Sequence, residues 1–218
     1  MKSFLVIGLG RFGSALAQEL CAQGNEVMAL DLRADRVQAA ADLVTRAAAG
    51  DARDPEVLRT LGARNFDCAV VAFSADVGDS ALITLNLKEI GVPKVVCKAS
   101  SAVHRKVLEK IGADRVVFPE YEMGQKVAQG LSSSNVLNFI EFSEDYGIME
   151  LSVPRSWQGK TLRELDVRNA FHVTIIALRS GASGTLNVSP RADVPMEEGD
   201  NVVALGRSED INRLSEVQ

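Results

Sequence analysis

The sequence predicts an α/β protein in which a doubly wound parallel sheet is followed by a small α+β domain. Short apolar runs alternate with longer amphipathic stretches through the first two thirds of the 218 residues, and the remainder is richer in strands. A glycine-rich turn directly follows the first apolar run. Strands of continuous Val, Ile and Leu content, separated by helices, are typical of a parallel sheet covered on both faces. Right-handed crossovers then wind the chain onto both sides of that sheet.

Six apolar runs predict the strands of the parallel sheet, and the stretches between them predict its helices. The predicted strands cover residues 4–7, 26–31, 45–49, 69–73, 94–98 and 115–118. The first helix is expected to end at residue 22, and the others to cover 33–43, 55–61, 79–90, 102–111 and 123–131.

A polar run at residues 132–135 marks the change to the second part of the chain. Residues 136–142 are expected to form a connecting segment. Beyond it we predict strands over 148–153, 173–178, 185–188 and 202–205, with short helices over 161–165 and 208–214. We therefore expect a first domain over residues 1–134, with a crossover to about 141, and a second over 142–218. So small a second domain has a marginal core, and we expect it to pair with a copy of itself.

Composition and charge exclude several classes of protein. With 46% hydrophobic and 24% charged residues the chain is an ordinary globular protein, and a net charge of −5 argues against sequence-independent nucleic-acid binding. No run approaches the roughly 20 apolar residues of a membrane-spanning helix. Cys21, Cys68 and Cys97 are far apart in apolar runs, which fits reduced thiols in a cytosolic core rather than a disulfide framework or a zinc site.

The turn after the first strand carries a dinucleotide-binding pattern. Gly8, Gly10 and Gly13 have the spacing GxGxxG between a strand and a helix, and Asp31 ends the second strand about twenty residues later. Gly8 allows a tight turn, Gly10 allows phosphates to approach the backbone, and Gly13 allows the helix and the strand to pack closely. Asp31 is expected to accept hydrogen bonds from both ribose hydroxyls and to repel a 2′-phosphate. The first domain is thus predicted to be a Rossmann-like nucleotide-binding domain.

Arg11 lies in the first turn of the helix, where a cation opposes the helix dipole. A ligand phosphate, in the same subunit or a neighbouring one, would compensate for that repulsion. The alternative is an arginine that lies along the solvated surface.

Further polar residues follow the other strands at the same edge. Asp51 is placed either to reach an adenine amine or to cap the helix that begins near Pro55, and Ala72, Phe73 and Ser74 follow the fourth strand. Lys98 ends the fifth strand, as a ligand contact or as a solvent-facing lysine. Glu120 follows the sixth, where it joins a divalent cation or a phosphate network, or simply complements a helix dipole.

The residues expected of a dehydrogenase are missing. Hydride transfer needs an acid or base beside the nicotinamide, and the two histidines, His104 and His172, are predicted to be surface or packing residues. No metal-ligand spacing, Ser/His/Asp set or P-loop is present. Binding without turnover is therefore the better hypothesis, and a small NAD-dependent oxidoreductase or a transporter-independent redox-sensing module are the alternatives.

Four segments together resemble a known family. They are residues 4–13 (FLVIGLGRFG), 107–114 (VLEKIGAD), 119–124 (PEYEMG) and 135–138 (NVLN). They are similar to the KtrA/TrkA-type potassium-uptake regulators, which are RCK (regulator of K⁺ conductance) proteins, and closest to the KtrA form with a single RCK unit. The resemblance covers essentially the whole chain, as an N-terminal RCK domain, a crossover and a C-terminal RCK domain.

The resemblance implies a cytosolic gating subunit of a K⁺-uptake system. Dimers would assemble into an octameric ring beneath a membrane K⁺-translocating subunit of the KtrB/TrkH type, peripheral to the inner face of the cell membrane. Exchange of ATP, ADP or NAD(H) in the Rossmann cleft would change the shape of the ring. No nucleic acid is expected among the partners.

The resemblance also implies site residues. Arg11 would contact a terminal phosphate across a subunit interface, and Glu120 would share a cation between nucleotides. The full expected nucleotide set is Gly8, Gly10, Arg11, Phe12, Gly13, Asp31, Leu32, Arg36, Gly50, Asp51, Ala52, Ala72, Phe73, Lys98 and Glu120. A cyclic di-AMP pocket in the second domain would use Leu162, Arg168, Thr174 and Pro190, with Thr174 standing where a longer polar side chain is common.

Overall fold

The computed structural model describes residues 1–73, 76–132, 136–141, 143 and 145–217. Ser74, Phe142 and residues 133–135 of the polar run lie outside the described residues. The chain divides into two compact units, Met1–Tyr121 and Glu122–Gln218. This division falls within a helix, ahead of the domain boundary expected at 134. Where one independently folding domain ends and the next begins stays a prediction.

The first unit is the predicted doubly wound α/β fold. Its strands are β1 (Ser3–Ile7), β2 (Glu26–Asp31), β3 (Arg46–Ala49), β4 (Cys68–Val71), β5 (Val95–Lys98) and β6 (Arg115–Val117). They form one parallel sheet in the order β3-β2-β1-β4-β5-β6. The order reverses at β1, and the carboxyl edge beside this point is where ligands bind in such sheets.

The helices up to residue 132 lie close to their predicted positions. They are α1 (Arg11–Ala22), α2 (Ala34–Ala40), α3 (Pro55–Thr60), α4 (Val77–Ile90), α5 (Ala102–Ile111) and α6 (Pro119–Ser132), with a 3₁₀ turn at Ala63–Asn65. Helix α6 begins at Pro119 instead of residue 123, since proline is well suited to the first helical position. Glu120 therefore lies in its first turn.

Strand β1 shows why the parallel sheet is apolar along its strands. Leu5 and Ile7 belong to one buried cluster, whereas Val6, between them, belongs to another. Successive side chains of a strand point to opposite faces, so both faces of the sheet are covered. The most central strands are accordingly the ones most clearly predicted from hydrophobicity.

The second unit contains an antiparallel sheet with helices. Its strands are β7 (Val136–Glu141), β8 (Tyr146–Ser152), β9 (Thr174–Arg179), β10 (Leu186–Val188) and β11 (Asn201–Arg207), in the order β10-β9-β11-β8-β7. Its helices are α7 (Leu162–Leu165), α8 (Val167–Phe171) and α9 (Ser208–Ser215), with a 3₁₀ turn at Arg155–Trp157. Leu151, Met196, Val202 and Ile211 lie in its buried core.

Two elements of the second unit differ from the sequence prediction. Residues 136–141 form strand β7 and pair with β8, so the expected connecting segment is wrong for them. A register shift between Val136 and Asn138 interrupts the regular alternation, which hides the strand in the sequence. Helix α8 was not predicted, because five residues between the left-handed Asp166 and His172 are too few for a periodic signal.

Among the described helices, none combines the length and the apolar character needed to cross a bilayer.

All three cysteines are free thiols, as expected, and two of them are buried in the sheet. The Cys97 sulfur lies 3.2 Å from the Thr84 hydroxyl of helix α4. Burial raises the pKa of the Cys97 thiol to about 11 and also raises the pKa of Cys68. Both sulfurs are therefore protonated at neutral pH.

His104 is a packing residue in the first turn of α5, as predicted. Its side chain is 0% exposed, and its Nδ1 lies 3.2 Å from both the backbone nitrogen and the hydroxyl of Ser100. Its Nε2 has no partner in the described structure. Burial lowers the pKa of the imidazole below its ordinary 6.5, because the charged form loses its hydration.

His104 should make the folded state sensitive to mild acid. The unfolded chain takes up its proton near pH 6.5, whereas the folded chain resists it to a lower pH, so the free energy of unfolding falls as the pH drops below 6.5. We expect His104→Gln to show a smaller loss of stability between about pH 7 and 5 than the unchanged protein. Urea unfolding at a series of pH values measures this, with exposed His172→Gln as the matched control. Identical pH profiles for the His104 variant and the unchanged protein would contradict the assignment.

Candidate functional site

A cleft of about 280 Å³ lies at the carboxyl ends of β1, β2, β3 and β4. It is lined by Ile7, Gly8, Leu30, Asp31, Leu32, Arg33, Arg36, Gly50, Asp51, Ala52, Arg53, Phe73, Asp76, Asp79 and Ile83. The lining combines apolar side chains with charged groups at the rim, which is the usual character of a small-molecule site. Leu32 is 64% exposed and offers an apolar surface to a ligand.

Two of the motif glycines are required by the fold itself. Gly8 has φ +95°, and a Cβ there would lie 3.0 Å from the Phe73 Cβ. A Cβ on Gly13 would lie 1.8 Å from the Gly8 carbonyl oxygen, so helix α1 approaches β1 as closely as a glycine allows. Gly10 differs, since a Cβ there would meet nothing within 4 Å. The first and third glycines thus shape the turn, and the second faces open space.

The beginning of α1 is open to an anion. Gly10 is its N-cap and supplies no side-chain hydrogen bond, and the first turn contains no acidic residue. The first intrahelical hydrogen bond runs from the Ser14 N–H to the Gly10 carbonyl, at 2.9 Å. The preceding amides therefore have no intrahelical acceptor, and they carry the positive end of the helix dipole. Such a terminus binds phosphate groups.

Asp31 ties this turn to the next strand. Its carboxylate is 7% exposed and accepts hydrogen bonds from the Leu9 N–H, at 2.6 Å, and the Arg33 N–H, at 2.8 Å. The Arg36 guanidinium lies 3.5 Å from the same carboxylate. A carboxylate has about four acceptor positions, so capacity remains for a ribose hydroxyl. Asp31 thus holds the glycine turn in shape and still presents an acceptor to the cleft.

Asp51 forms a charge pair and does not cap a helix. Asp54 is the N-cap of α3 and accepts a hydrogen bond from the Glu56 N–H, so the alternative of a capping Asp51 is wrong. The Asp51 carboxylate lies 2.7 Å from the Arg53 guanidinium, whose hydrogen bonds hold the pKa of Asp51 below its ordinary value. Asp51 is therefore charged at neutral pH.

A second group of charges lies beside the glycine turn. The Lys98 ammonium lies 2.5 Å from the Glu120 carboxylate and 5.8 Å from the centre of the Phe12 ring. The Lys98 hydrogen bond lowers the pKa of Glu120, and the charge of Arg11 adds a smaller effect in the same direction. Arg11 itself is exposed and has no ion pair among the described residues. An exposed arginine of this kind fits both expectations, a phosphate contact and a solvated side chain, so the role of Arg11 stays a prediction.

A cation at Glu120 stays a prediction. No group of three or more His, Cys, Asp or Glu side chains in the described ranges is arranged to hold a metal ion. Glu120 is engaged by Lys98, a cation already in place. The described residues of one chain therefore do not form a cation site by themselves.

The predicted nucleotide residues fall into three places along one edge of the sheet. Gly8, Asp31, Leu32, Arg36, Gly50, Asp51, Ala52 and Phe73 line the cleft. Gly10, Arg11, Phe12 and Gly13 lie at the beginning of α1, and Lys98 and Glu120 lie beside it. Ala72 is buried in the core.

Sequence reasoning missed several charged residues of the cleft. They are Arg33, Arg53, Asp76 and Asp79. Asp76 caps helix α4 by accepting a hydrogen bond from the Asp79 N–H. An Asp before an apolar helical stretch is an N-cap signal, so Asp76 could have been found. Arg53 and Asp79 are 26 residues apart, and their pairing depends on the tertiary fold.

The four expected cyclic di-AMP residues lie on different elements of the second unit. Thr174 lines a groove of about 470 Å³ together with Tyr146, His172 and Arg207. Leu162 packs against the core, Arg168 is an exposed residue of α8, and Pro190 follows β10. A site built from all four stays a prediction.

Comparisons with known proteins agree with this architecture. Residues 4–119 match the TrkA-N domain and residues 148–218 match the TrkA-C domain. The chain is 42% identical to Ktr system potassium uptake protein A of Bacillus subtilis, over 98% of this chain and 95% of that protein. It is 40% identical to Ktr system potassium uptake protein C of the same organism, over 98% and 96%.

A solved structure described as the GsuK channel bound to NAD shares the fold. The TM-score is 0.69 at 18% identity, over 99% of this chain and 39% of that one. At this identity the likeness shows the fold alone, and the present chain spans well under half of the solved one.

The two glycines nearest the phosphate position should separate folding from binding. Gly13→Ala forces a backbone shift and should lower the free energy of unfolding by about 2–3 kcal/mol. Gly10→Ala places its methyl group in open space, so the free energy of unfolding should change by less than about 1 kcal/mol. The affinity for the nucleotide should fall, because the methyl group lies where phosphates approach. Urea unfolding and calorimetric titration with ATP distinguish the two effects. Equal destabilisation by both substitutions would overturn this division of roles.

Proposed function

Because the chain belongs to the TrkA/Ktr family of potassium-uptake proteins, we propose that it is the nucleotide-binding regulatory subunit of a K⁺-uptake system. The observation that carries the proposal is the open beginning of α1, with the exposed Arg11 in its first turn, in a chain that is 42% identical over nearly its whole length to a Ktr protein. Its task is to bind a nucleotide and transmit that state to a membrane partner.

The geometry favours an adenine nucleotide or NAD(H) as the ligand. Phosphates lie at the amides of residues 10–13, and a ribose lies at Asp31 on the neighbouring strand. The carboxylate of Asp31 disfavours a 2′-phosphate. The solved neighbour described as bound to NAD supports a dinucleotide, and ATP and ADP satisfy the same phosphate and ribose contacts.

The cleft supports binding without catalysis. Its lining contains no His, Lys, Tyr or Cys among the described residues, which leaves the Asp carboxylates as the groups of common acid and base type that face the ligand. Each of these carboxylates is engaged by a backbone N–H or a guanidinium group of the protein, which suits it to positioning a ligand. This supports a regulatory protein over an oxidoreductase.

Arg11 supplies the difference that a switch requires. A ligand shifts a conformational equilibrium only when it binds the two states with different free energies. ATP brings a third phosphate that ADP lacks, and Arg11 is an exposed cation at the beginning of α1. We infer that contact between Arg11 and this phosphate, within one subunit or across to another, distinguishes the ATP-bound state.

An exposed apolar stripe supports self-association. Met123, Val127 and Leu131 recur every four residues on α6 and are each more than half exposed, so they lie along one face of the helix. The family relationship supports dimers that assemble into an octameric ring beneath a membrane subunit of the KtrB/TrkH type, at the cytoplasmic face of the membrane. A cation near Glu120 and cyclic di-AMP in the second unit remain further proposals.

Replacing Arg11 should reduce discrimination between ATP and ADP. We expect Arg11→Ala to lower the ratio of the two affinities about five- to tenfold, because one charge-assisted phosphate contact is lost, while adenosine binding is unchanged. Isothermal titration calorimetry with the three ligands measures this, and Arg59→Ala on helix α3 serves as the charge-matched control. An equal loss for ATP and ADP would exclude Arg11 from the switch.

The regulatory role should be visible in transport. We expect the full chain to copurify with the K⁺-translocating subunit encoded by the same organism. In vesicles containing that subunit, rubidium tracer uptake should differ between ATP and ADP, and Gly10→Ala should weaken the response. If the chain never binds the membrane subunit and leaves uptake unchanged, the proposed function fails even when nucleotide binding is intact.

A further inference from the structure

Arg53 joins two separate carboxylates at one end of the cleft. Its Nη2 lies 2.7 Å from Asp51 Oδ2 and its Nε lies 2.9 Å from Asp51 Oδ1, which is a bidentate pair. Its Nη1 lies 3.3 Å from Asp79 Oδ2 in the first turn of α4. One guanidinium therefore connects the segment after β3 to the helix after β4.

The backbone of Arg53 is anchored as well as its side chain. The side-chain amide of Asn86, a buried residue of α4, donates a hydrogen bond to the Arg53 carbonyl at 3.1 Å. Arg53 is thus held to α4 at two points, through Asp79 and through Asn86. The Arg53 side chain is 43% exposed, so these attachments hold it at the rim of the cleft.

The order of the strands shows which part of a bound nucleotide Asp51 and Arg53 would face. The glycine turn follows β1, Asp31 ends β2, and Asp51 follows β3, and these three strands are neighbours in that order. A nucleotide whose phosphates lie at the glycine turn and whose ribose lies at Asp31 extends its base toward β3. Asp51 and Arg53 are therefore at the base end.

The Asp51 carboxylate keeps room for a donor from the base. Arg53 supplies three N–H donors to it: the backbone N–H to Oδ1, Nη2 to Oδ2, and Nε, which is shared between Oδ1 at 2.9 Å and Oδ2 at 3.1 Å. A carboxylate has about four acceptor positions, so three donors leave one for the base. The side chain is 37% exposed, so the remaining position is accessible.

We propose that Arg53 is a positioning residue, which fixes the Asp51 carboxylate so that it selects a base with an exocyclic amine, as in adenine, over one with a carbonyl at the same position. The inference rests on the proposed function, because it assumes a nucleotide in the cleft. A fixed carboxylate accepts from an amine and repels a carbonyl oxygen. Arg53 also balances the negative charge of Asp51, Asp76 and Asp79, which would otherwise oppose an anionic ligand.

The charge state of Asp51 supports the assignment. Its hydrogen bonds to Arg53 keep its pKa low, so the carboxylate stays an acceptor throughout the neutral range.

The test compares ATP with ITP, whose base carries a carbonyl in place of the amine. We expect the unchanged protein to bind ATP about tenfold more tightly than ITP in calorimetric titrations, which corresponds to one charge-assisted hydrogen bond. Arg53→Met should reduce this preference to less than about threefold, and Asp51→Asn should do the same, because an amide can also donate to the carbonyl. Arg59→Met, whose arginine pairs with Glu56 outside the cleft lining, is the matched control and should keep the preference.

A conservative variant distinguishes positioning from loss of structure. Arg53→Lys keeps the charge but cannot bind two carboxylates in the same planar manner, so we expect an intermediate preference and restored overall affinity. Asp79→Asn removes the second anchor and should lower the preference without abolishing ATP binding. These two variants carry the test if Arg53→Met fails to fold.

The outcomes distinguish a failure of the proposed function from a failure of the proposed role of Arg53. If the unchanged protein binds neither ATP, ADP nor NAD, the proposed function fails and this inference with it. If it binds ATP and ITP equally, or if Arg53→Met keeps the tenfold preference, the inference alone is overturned. A preference that falls in the order unchanged protein, Arg53→Lys, Arg53→Met supports the positioning role.

Discussion

The close contact between helix α1 and strand β1 is the constraint on which the site depends. With hydrogen atoms in place of side chains at Gly8 and Gly13, the helix begins directly beyond the carboxyl end of the central strand. Its unpaired amides are then aimed at the point where the strand order reverses. Any side chain at residue 13 would move the helix outward and spoil the packing and the phosphate position together, so stability and ligand recognition share one backbone contact.

Asp31 extends that constraint to the neighbouring strand. Its buried carboxylate accepts from the amides of Leu9 and Arg33, so the glycine turn and the loop after β2 are held by the same side chain that faces the ribose position. Charged hydrogen bonds of this kind are among the stronger ones in proteins. The cleft is therefore rigid where it faces the phosphates and the ribose, which all nucleotides share. At the rim, where it faces the parts in which nucleotides differ, it is lined by charged groups.

The sequence was sufficient for the parts of the fold in which local pattern and burial agree. The central strands, the glycine turn and Asp31 were predictable because each follows from a short stretch of residues. Strand β7 was not, since the register shift at Val136 and Asn138 disturbs its alternation. The choice between Asp51 and Asp54 as helix cap depends on where Pro55 begins the helix. The ion pairs of Arg53 with Asp51 and Asp79 required the tertiary fold, because β3 and α4 meet only after the sheet has assembled.

The two sheet thiols limit how oxidising conditions act on this domain. Cys97 has no exposed surface, Cys68 almost none, and both stay protonated at neutral pH. Peroxides and disulfide reagents attack the thiolate, and they must first reach it. Oxidants therefore reach Cys21 of helix α1, which is partly exposed, more readily than the two sheet thiols.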